Sequence, residues 1–201
     1  MKRTRGNIKN KNSLELVVLA LDPSLTGFGW AVIKQNKIID TGCIKTIPEF
    51  KKRKIYKATD RMRRVHIINR ILKRAIEKHN INYIVTELPH GSQSAIAAIS
   101  LGMVSSMPQT IADFLGFKIE HYSEGESKKA LLGKRSAEKI ETIYAIDKLF
   151  DVPITKGIKK DKKDKVIALW SGIAYKDEAV ADAISVYYAA LKNKKNINKF
   201  N

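Results

Sequence analysis

Residues 14–46 read LELVVLALDPSLTGFGWAVIKQNKIIDTGCIKT. The stretch LVVLAL before Asp22 is a continuous apolar run of strand length, which predicts a strand buried on both faces. Asp22 and Pro23 end it, and a small-residue turn with Gly27 and Gly29 leads into a second strand. An Asn-Lys turn at Asn36 and Lys37 then reverses the chain into a third. The stretch is an antiparallel meander entered by a buried strand.

Working outward, Pro48 to Lys57 is a basic connection. Thr59 to His79 carries Met62, Val65, Ile68, Leu72 and Ile76 at the spacing of a helix with one buried stripe, leaving Arg61, Arg63, Arg64, Arg70, Lys73 and Arg74 on its other faces. Asn82 to Thr86 (NYIVT) predicts a second buried strand, with Glu87 at its carboxyl end and Pro89 following. Ser92 to Phe117, rich in Ala, Ser, Gly and Met, predicts one long helix suited to close packing against a second subunit, and Phe117 to Tyr122 a weaker strand. Two amphipathic helices, Ser136 to Phe150 and Asp177 to Leu191, flank a Lys-rich loop from Lys156 to Lys165. This order predicts an α/β fold whose mixed five-stranded sheet has an antiparallel edge, becomes parallel through crossovers, and binds ligands outside the carboxyl ends of its strands. One domain spans residues 14–192, with a basic arm over 1–13 and a basic tail over 193–201.

The chain has 201 residues, 44% of them hydrophobic, enough for one good core. Its 38 Lys and Arg against 20 Asp and Glu give a formal net charge of +18, far beyond what solubility requires, so a polyanionic partner is expected. No apolar run is expected to reach membrane-spanning length and no secretory signal stands at the N-terminus, which leaves nucleic acid as the partner and the cytoplasm as the compartment. The single cysteine, Cys43, excludes a disulfide framework or a cysteine-based zinc site and reads as a small buried thiol.

The acids are the minority charge, and their placement is informative. Asp22 and Glu87 each end a buried apolar strand, and two such strands side by side would bring both to one sheet edge. Taken alone, Asp22 is also a common turn-initiating aspartate before proline. Asp177, Glu178 and Asp182 open the last helix, where acids also serve the helix dipole. Glu178 and Asp182 share a face, nearly opposite the Val180, Ile184, Tyr187 and Leu191 stripe, as a merely solvated acidic face would. Converging carboxylates without Cys and with few His suit Mg²⁺ or Mn²⁺, and two such ions roughly 3.5–4 Å apart hydrolyse phosphodiesters.

The motifs ALDPSLTGFGWAVI, TELPHG, SKKALLGKRSAEK and AVADAISV, in that order, resemble the four blocks of the RuvC family of Holliday junction resolvases, covering Leu16 to about Ala190. The resemblance implies an RNase H-like fold, a homodimer, and Mg²⁺-dependent paired nicking of four-way DNA junctions in recombination, repair or replication. It makes Asp22, Glu87 and Asp182 metal ligands, and Lys129 and Lys139 contacts to the cleaved backbone, with Lys128, Lys134 and Arg135 on the same basic block. The family's fourth ligand position falls on Ala179, so Glu178 is the substitute. His90 stands where family members often carry an aromatic wedge. DPSLTG also resembles the first phosphate loop of actin-like and sugar-kinase ATPases, and a non-catalytic branched-DNA binder or an RNA-directed nuclease of the same fold are further alternatives. The Lys, Ile and Asn bias suits a bacteriophage or a low-GC bacterium.

Overall fold

The computed structural model describes residues 15–92, 94–150, 159–160, 166–167 and 178–193. Strands β1 (Val17–Asp22), β2 (Gly27–Lys34) and β3 (Lys37–Lys45) form the expected antiparallel meander. A short helix α1 (Phe50–Arg53) and the long α2 (Lys57–His79) lead to β4 (Tyr83–Glu87). Then come α3 (Ala95–Ser105), α4 (Met107–Leu115), β5 (Lys118–Tyr122), α5 (Glu124–Leu132) and α6 (Lys139–Phe150). Two-residue strands β6 (Lys159–Lys160) and β7 (Val166–Ile167) pair antiparallel within the Lys-rich region, and α7 (Glu178–Lys192) follows. The sheet order is β3-β2-β1-β4-β5, with β1, β4 and β5 parallel. This is the mixed five-stranded sheet expected. The arm over 1–13, residues 194–201 of the tail, Asp177 and the rest of Lys156 to Lys165 lie outside the described residues.

β1 is apolar from Val17 to Leu21 because helices cover both its faces. Val18 and Ala20 pack with Ile146 and Ile184 on one side, while Val17, Leu19 and Leu21 pack with Ile68 and Leu72 on the other. At about 25 cal/mol per Å² of apolar surface, these two layers supply the main stabilisation.

Three expectations need correction. First, the stripe of α2 holds at Val65, Ile68 and Leu72 but not at its start: Met62 is exposed and Arg64 is buried, because the guanidinium finds backbone acceptors beneath the sheet edge. Second, Ser92 to Phe117 is two helices. Pro108 in the first turn of α4 lacks an N–H and its ring would clash with the carbonyl four residues back, so the chain breaks at Ser106. Third, Ala95–Leu115 is long and apolar enough by composition to cross a membrane, with a mean hydropathy of 1.3. Small residues diluted by serines hid this from inspection of the sequence. Val104, Met107 and Ala112 pack this unit onto the core, while Ile96, Ile99 and Phe114 face outward.

Candidate active site

Leu21 of β1 lies level with Thr86 of β4, so Asp22 and Glu87, one residue on, end neighbouring parallel strands at the same sheet edge. The first turn of α7 sits directly on β2. A Cβ added at Gly29 would lie 2.0 Å from the Ala179 carbonyl oxygen, so only glycine admits this approach. Ala179 thus packs on the sheet, and Asp182, about one turn later, comes to the strand ends. Gly29→Ala is expected to cost about 3 kcal/mol through backbone overpacking, read as a lowered thermal midpoint. A midpoint within a degree of the wild type would show that α7 shifts without penalty.

Asp182 does not lie on a solvated acidic face, although Glu178 beside it stays partly exposed. α7 is buried on several sides, with Ile184 and Val186 in one apolar layer together with Tyr187 and Ala190, and α5 and α6 cover the side away from the sheet. Asp182 therefore lies in a seam. Burial raises the Asp22 carboxyl well above the usual range, and Asp182, Glu87, Glu178 and Glu124 raise it further. Burial, then Asp182 and Glu124, push Glu87 up to about 7, opposed by Lys128. Burial and Glu178 push Asp182 up to about 7, opposed by Lys128 and Lys139. The cluster has an excess of negative charge held out of water, which a bound cation would relieve.

Glu178 is ion-paired with Lys139. Lys128 is mostly buried, bonded to Glu124, and feels Asp182 and Glu87. Lys129, about 100° further round α5, points elsewhere: with Arg135, Tyr122, Glu126 and Lys192 it lines a separate cavity of about 460 Å³. Of the two neighbouring lysines, Lys128 is therefore the one that faces the acids, and Lys129 is turned away from them. Lys134 is paired with Glu141 at 2.6 Å. His90 is exposed near the start of α5, where it acts on Glu124 and Glu126. Glu124 was missed in the sequence. Its signal was present: Ser123 and Glu126 form a capping box that starts α5, which would have set the helical phase and separated Lys128 from Lys129.

Arg64 was also missed. Its Nε donates to Thr46 Oγ1 at 2.7 Å and its Nη2 to the Leu25 carbonyl at 3.1 Å, while Thr46 N–H donates to the Thr26 carbonyl at 3.1 Å. The turn that follows Asp22 is therefore pinned from beneath. Beside it a cavity of about 430 Å³ is lined by Arg64 and the hydroxyl residues Ser24, Thr26, Ser92, Ser94 and Ser100.

The donor set is carboxylate oxygen only, the chemistry of Mg²⁺ or Mn²⁺. As the side chains stand, no three acidic, histidine or cysteine groups among the described residues surround a single ion position. Glu178 and Glu124 are instead turned to lysines.

The family model described as crossover junction endodeoxyribonuclease RuvC matches residues 18–169. A crossover junction endodeoxyribonuclease RuvC from Protochlamydia amoebophila is 25% identical over 146 residues, 71% of this chain and 82% of that protein. One from Rickettsia bellii is 25% identical over 158 residues, covering 77% and 94%. Among solved structures, Thermus thermophilus RuvC in complex with Holliday junction substrate superposes with a TM-score of 0.63 at 17% identity, covering 87% of this chain and 92% of that one. The yeast mitochondrial Holliday junction resolvase Ydc2 gives 0.53 at 16% identity, covering 92% and 84%.

Proposed function

The chain belongs to the RuvC family of crossover junction endodeoxyribonucleases, and on that premise we propose that it resolves four-way junctions, and cuts related branched DNA, by divalent-cation-dependent phosphodiester hydrolysis. The observation that carries this reading is the cluster of Asp22, Glu87 and Asp182, buried, mutually repelling and flanked by two lysines. Mg²⁺, or Mn²⁺ in its place, would be held by these three and by Glu178, and when bound supplies an activated water and stabilisation of the leaving 3′ oxygen.

The protein's own residues do the rest. Thr46 and Arg64 hold the turn after Asp22, which fixes that carboxylate relative to Glu87. Lys128 and Lys139 lie on the helix side of the acids and receive the scissile phosphate, where a positioned cation stabilises the charge that develops during displacement. His90 stands at the rim for a base at the branch point. The net charge of +18 carries the arms by phosphate contacts.

The outward faces of α3 and α4, with Ile96, Ile99 and Phe114, support a homodimer, which would place two sites on one junction and give paired nicks. The reading puts the protein in the cytoplasm of a bacterium or of its phage-infected counterpart. The phosphotransferase alternative rests on DPSLTG alone, and that motif lies within the residues the nuclease family model matches.

Labelled four-way junction, fork, linear duplex and RNA–DNA hybrid, each with Mg²⁺ and with EDTA, test the reading. Paired, Mg²⁺-dependent nicks in the junction are expected. Lys128→Ala should cut about a hundredfold more slowly at near-normal affinity, and Lys129→Ala within a few-fold of wild type. Junction binding without cutting in Mg²⁺ or Mn²⁺ would leave a non-catalytic binder, and preferential hybrid cleavage an RNA-directed nuclease.

A further inference from the structure

The segment between β3 and α2 spends its acids internally and leaves its lysines outside. Arg53 pairs with Glu49 at 2.5 Å, and Arg63 reaches Glu49 at 3.2 Å and Asp60 at 2.9 Å. Arg63 Nη2 also donates to the Ile47 carbonyl at 2.9 Å, and Glu49 N–H donates to Asp60 Oδ1 at 3.2 Å. A left-handed residue, Lys54 at φ 51, closes α1, and Ile55 N–H returns to the Phe50 carbonyl at 3.1 Å. The segment is thus tied in one conformation. On its outer side Lys51, Lys52 and Lys54 are exposed and have no ion-pair partner among the described residues, while Lys57 lies 5.5 Å from the Phe50 ring.

We propose that this segment is a second DNA contact, gripping the phosphate backbone of a junction arm as it leaves the active site on the β3 side. The inference rests on the nuclease reading above. An ordinary solvated charge run needs no scaffold, since mobile lysines separate and hydrate at no cost. Here buried and half-buried ion pairs fix the backbone that presents the lysines, so their mutual repulsion is not relaxed by movement of the chain. A partner carrying closely spaced negative charge offsets that repulsion, and duplex DNA offers one charge per roughly 1.7 Å of its axis.

Position supports the same occupant. Thr46, which bonds the turn after Asp22, is followed at once by Ile47, 68% exposed, and the segment ends at Tyr56, 85% exposed. The patch therefore starts at the catalytic edge and runs outward from it, with apolar side chains at both ends to lie against deoxyribose. Arg70 and Arg74 are also exposed but lie further along α2, toward its carboxyl end.

The test is junction binding in EDTA across a salt series, followed by single-turnover cleavage at saturating protein. The triple variant K51A/K52A/K54A is expected to bind a long-armed junction at least tenfold more weakly near 0.1 M salt, with the salt slope reduced by about 3. Its cleavage rate at saturation should equal the wild type's, since none of the three lysines touches the carboxylates. The pair R70A/R74A should change affinity less than threefold. Shortening the arms until they end at the carboxylate site should erase the difference between triple variant and wild type. Equal affinity of triple variant and wild type on long arms, or an equal loss in R70A/R74A, overturns this inference while leaving the nuclease reading in place. A wild type that binds no junction overturns both.

Discussion

Asp182→Asn abolishes cutting, by about a thousandfold or more, while the affinity for a junction in EDTA stays level or rises. Asp182 is held at the strand ends by the contact of Gly29 with Ala179, so the variant keeps the shape and loses the charge. An amide oxygen still coordinates weakly, but it neither offsets a dication nor repels a phosphate. The loss of chemistry and the gain in binding thus share one cause. Asp22→Asn and Glu87→Gln should behave alike, because each ends a buried strand at the same edge. Glu178→Gln should lose less, since Lys139 already engages that carboxylate. Single-turnover cleavage with Mg²⁺ and band shifts with EDTA measure the two quantities separately. An active Asp182→Asn enzyme removes that residue from the ligand set, and a parallel loss of binding would mean that the site has collapsed.

The strand acids were legible because their signal is one-dimensional: an apolar run of strand length that stops at a carboxylate, twice, in chains that must then lie parallel. The helical parts were less legible, since a helix presents several faces and the sequence does not say which neighbours cover them. Asp182 lies opposite the apolar stripe of α7, so helix geometry alone does not favour a functional role for it, and its place in the ligand set comes from the scarcity of acids and the family resemblance. Yet α7 is packed between the sheet and α5 with α6, so nearly all of its faces are inside. Lys128 and Lys129 differ by one residue, and only the phase of α5 decides which one meets the acids. Arg64 was assigned to the outer face of α2 because arginine is seldom buried, whereas here three backbone and hydroxyl acceptors beneath the β1 to β2 turn accommodate it. The break before α4 was readable at Pro108 and was overridden by the apolar composition around it.

Without a divalent cation, the protein is expected to be less stable at pH 8 than at pH 5.5, and Mg²⁺ should restore most of the difference at pH 8. Glu87 and Asp182 hold their protons up to about pH 7 when folded, whereas unfolded carboxyls release them near pH 4. Between these limits the folded state binds more protons than the unfolded chain, so stability falls as pH rises through that window and levels off above it. Asp22, raised by the same burial and the same neighbours, acts in the same direction. Because the acids are coupled, the contributions do not add in full, and a loss of about 3 kcal/mol is the expected scale. Thermal melts at both pH values, in EDTA and in Mg²⁺, measure it, and Asp182→Asn supplies the control. With one repelling charge removed, that variant should melt higher than wild type at pH 8 in EDTA and gain less from Mg²⁺. A wild-type midpoint that rises from pH 5.5 to 8 in EDTA would mean that Lys128 and Lys139 already neutralise the cluster, and the case for a cation at these acids would lose its electrostatic ground.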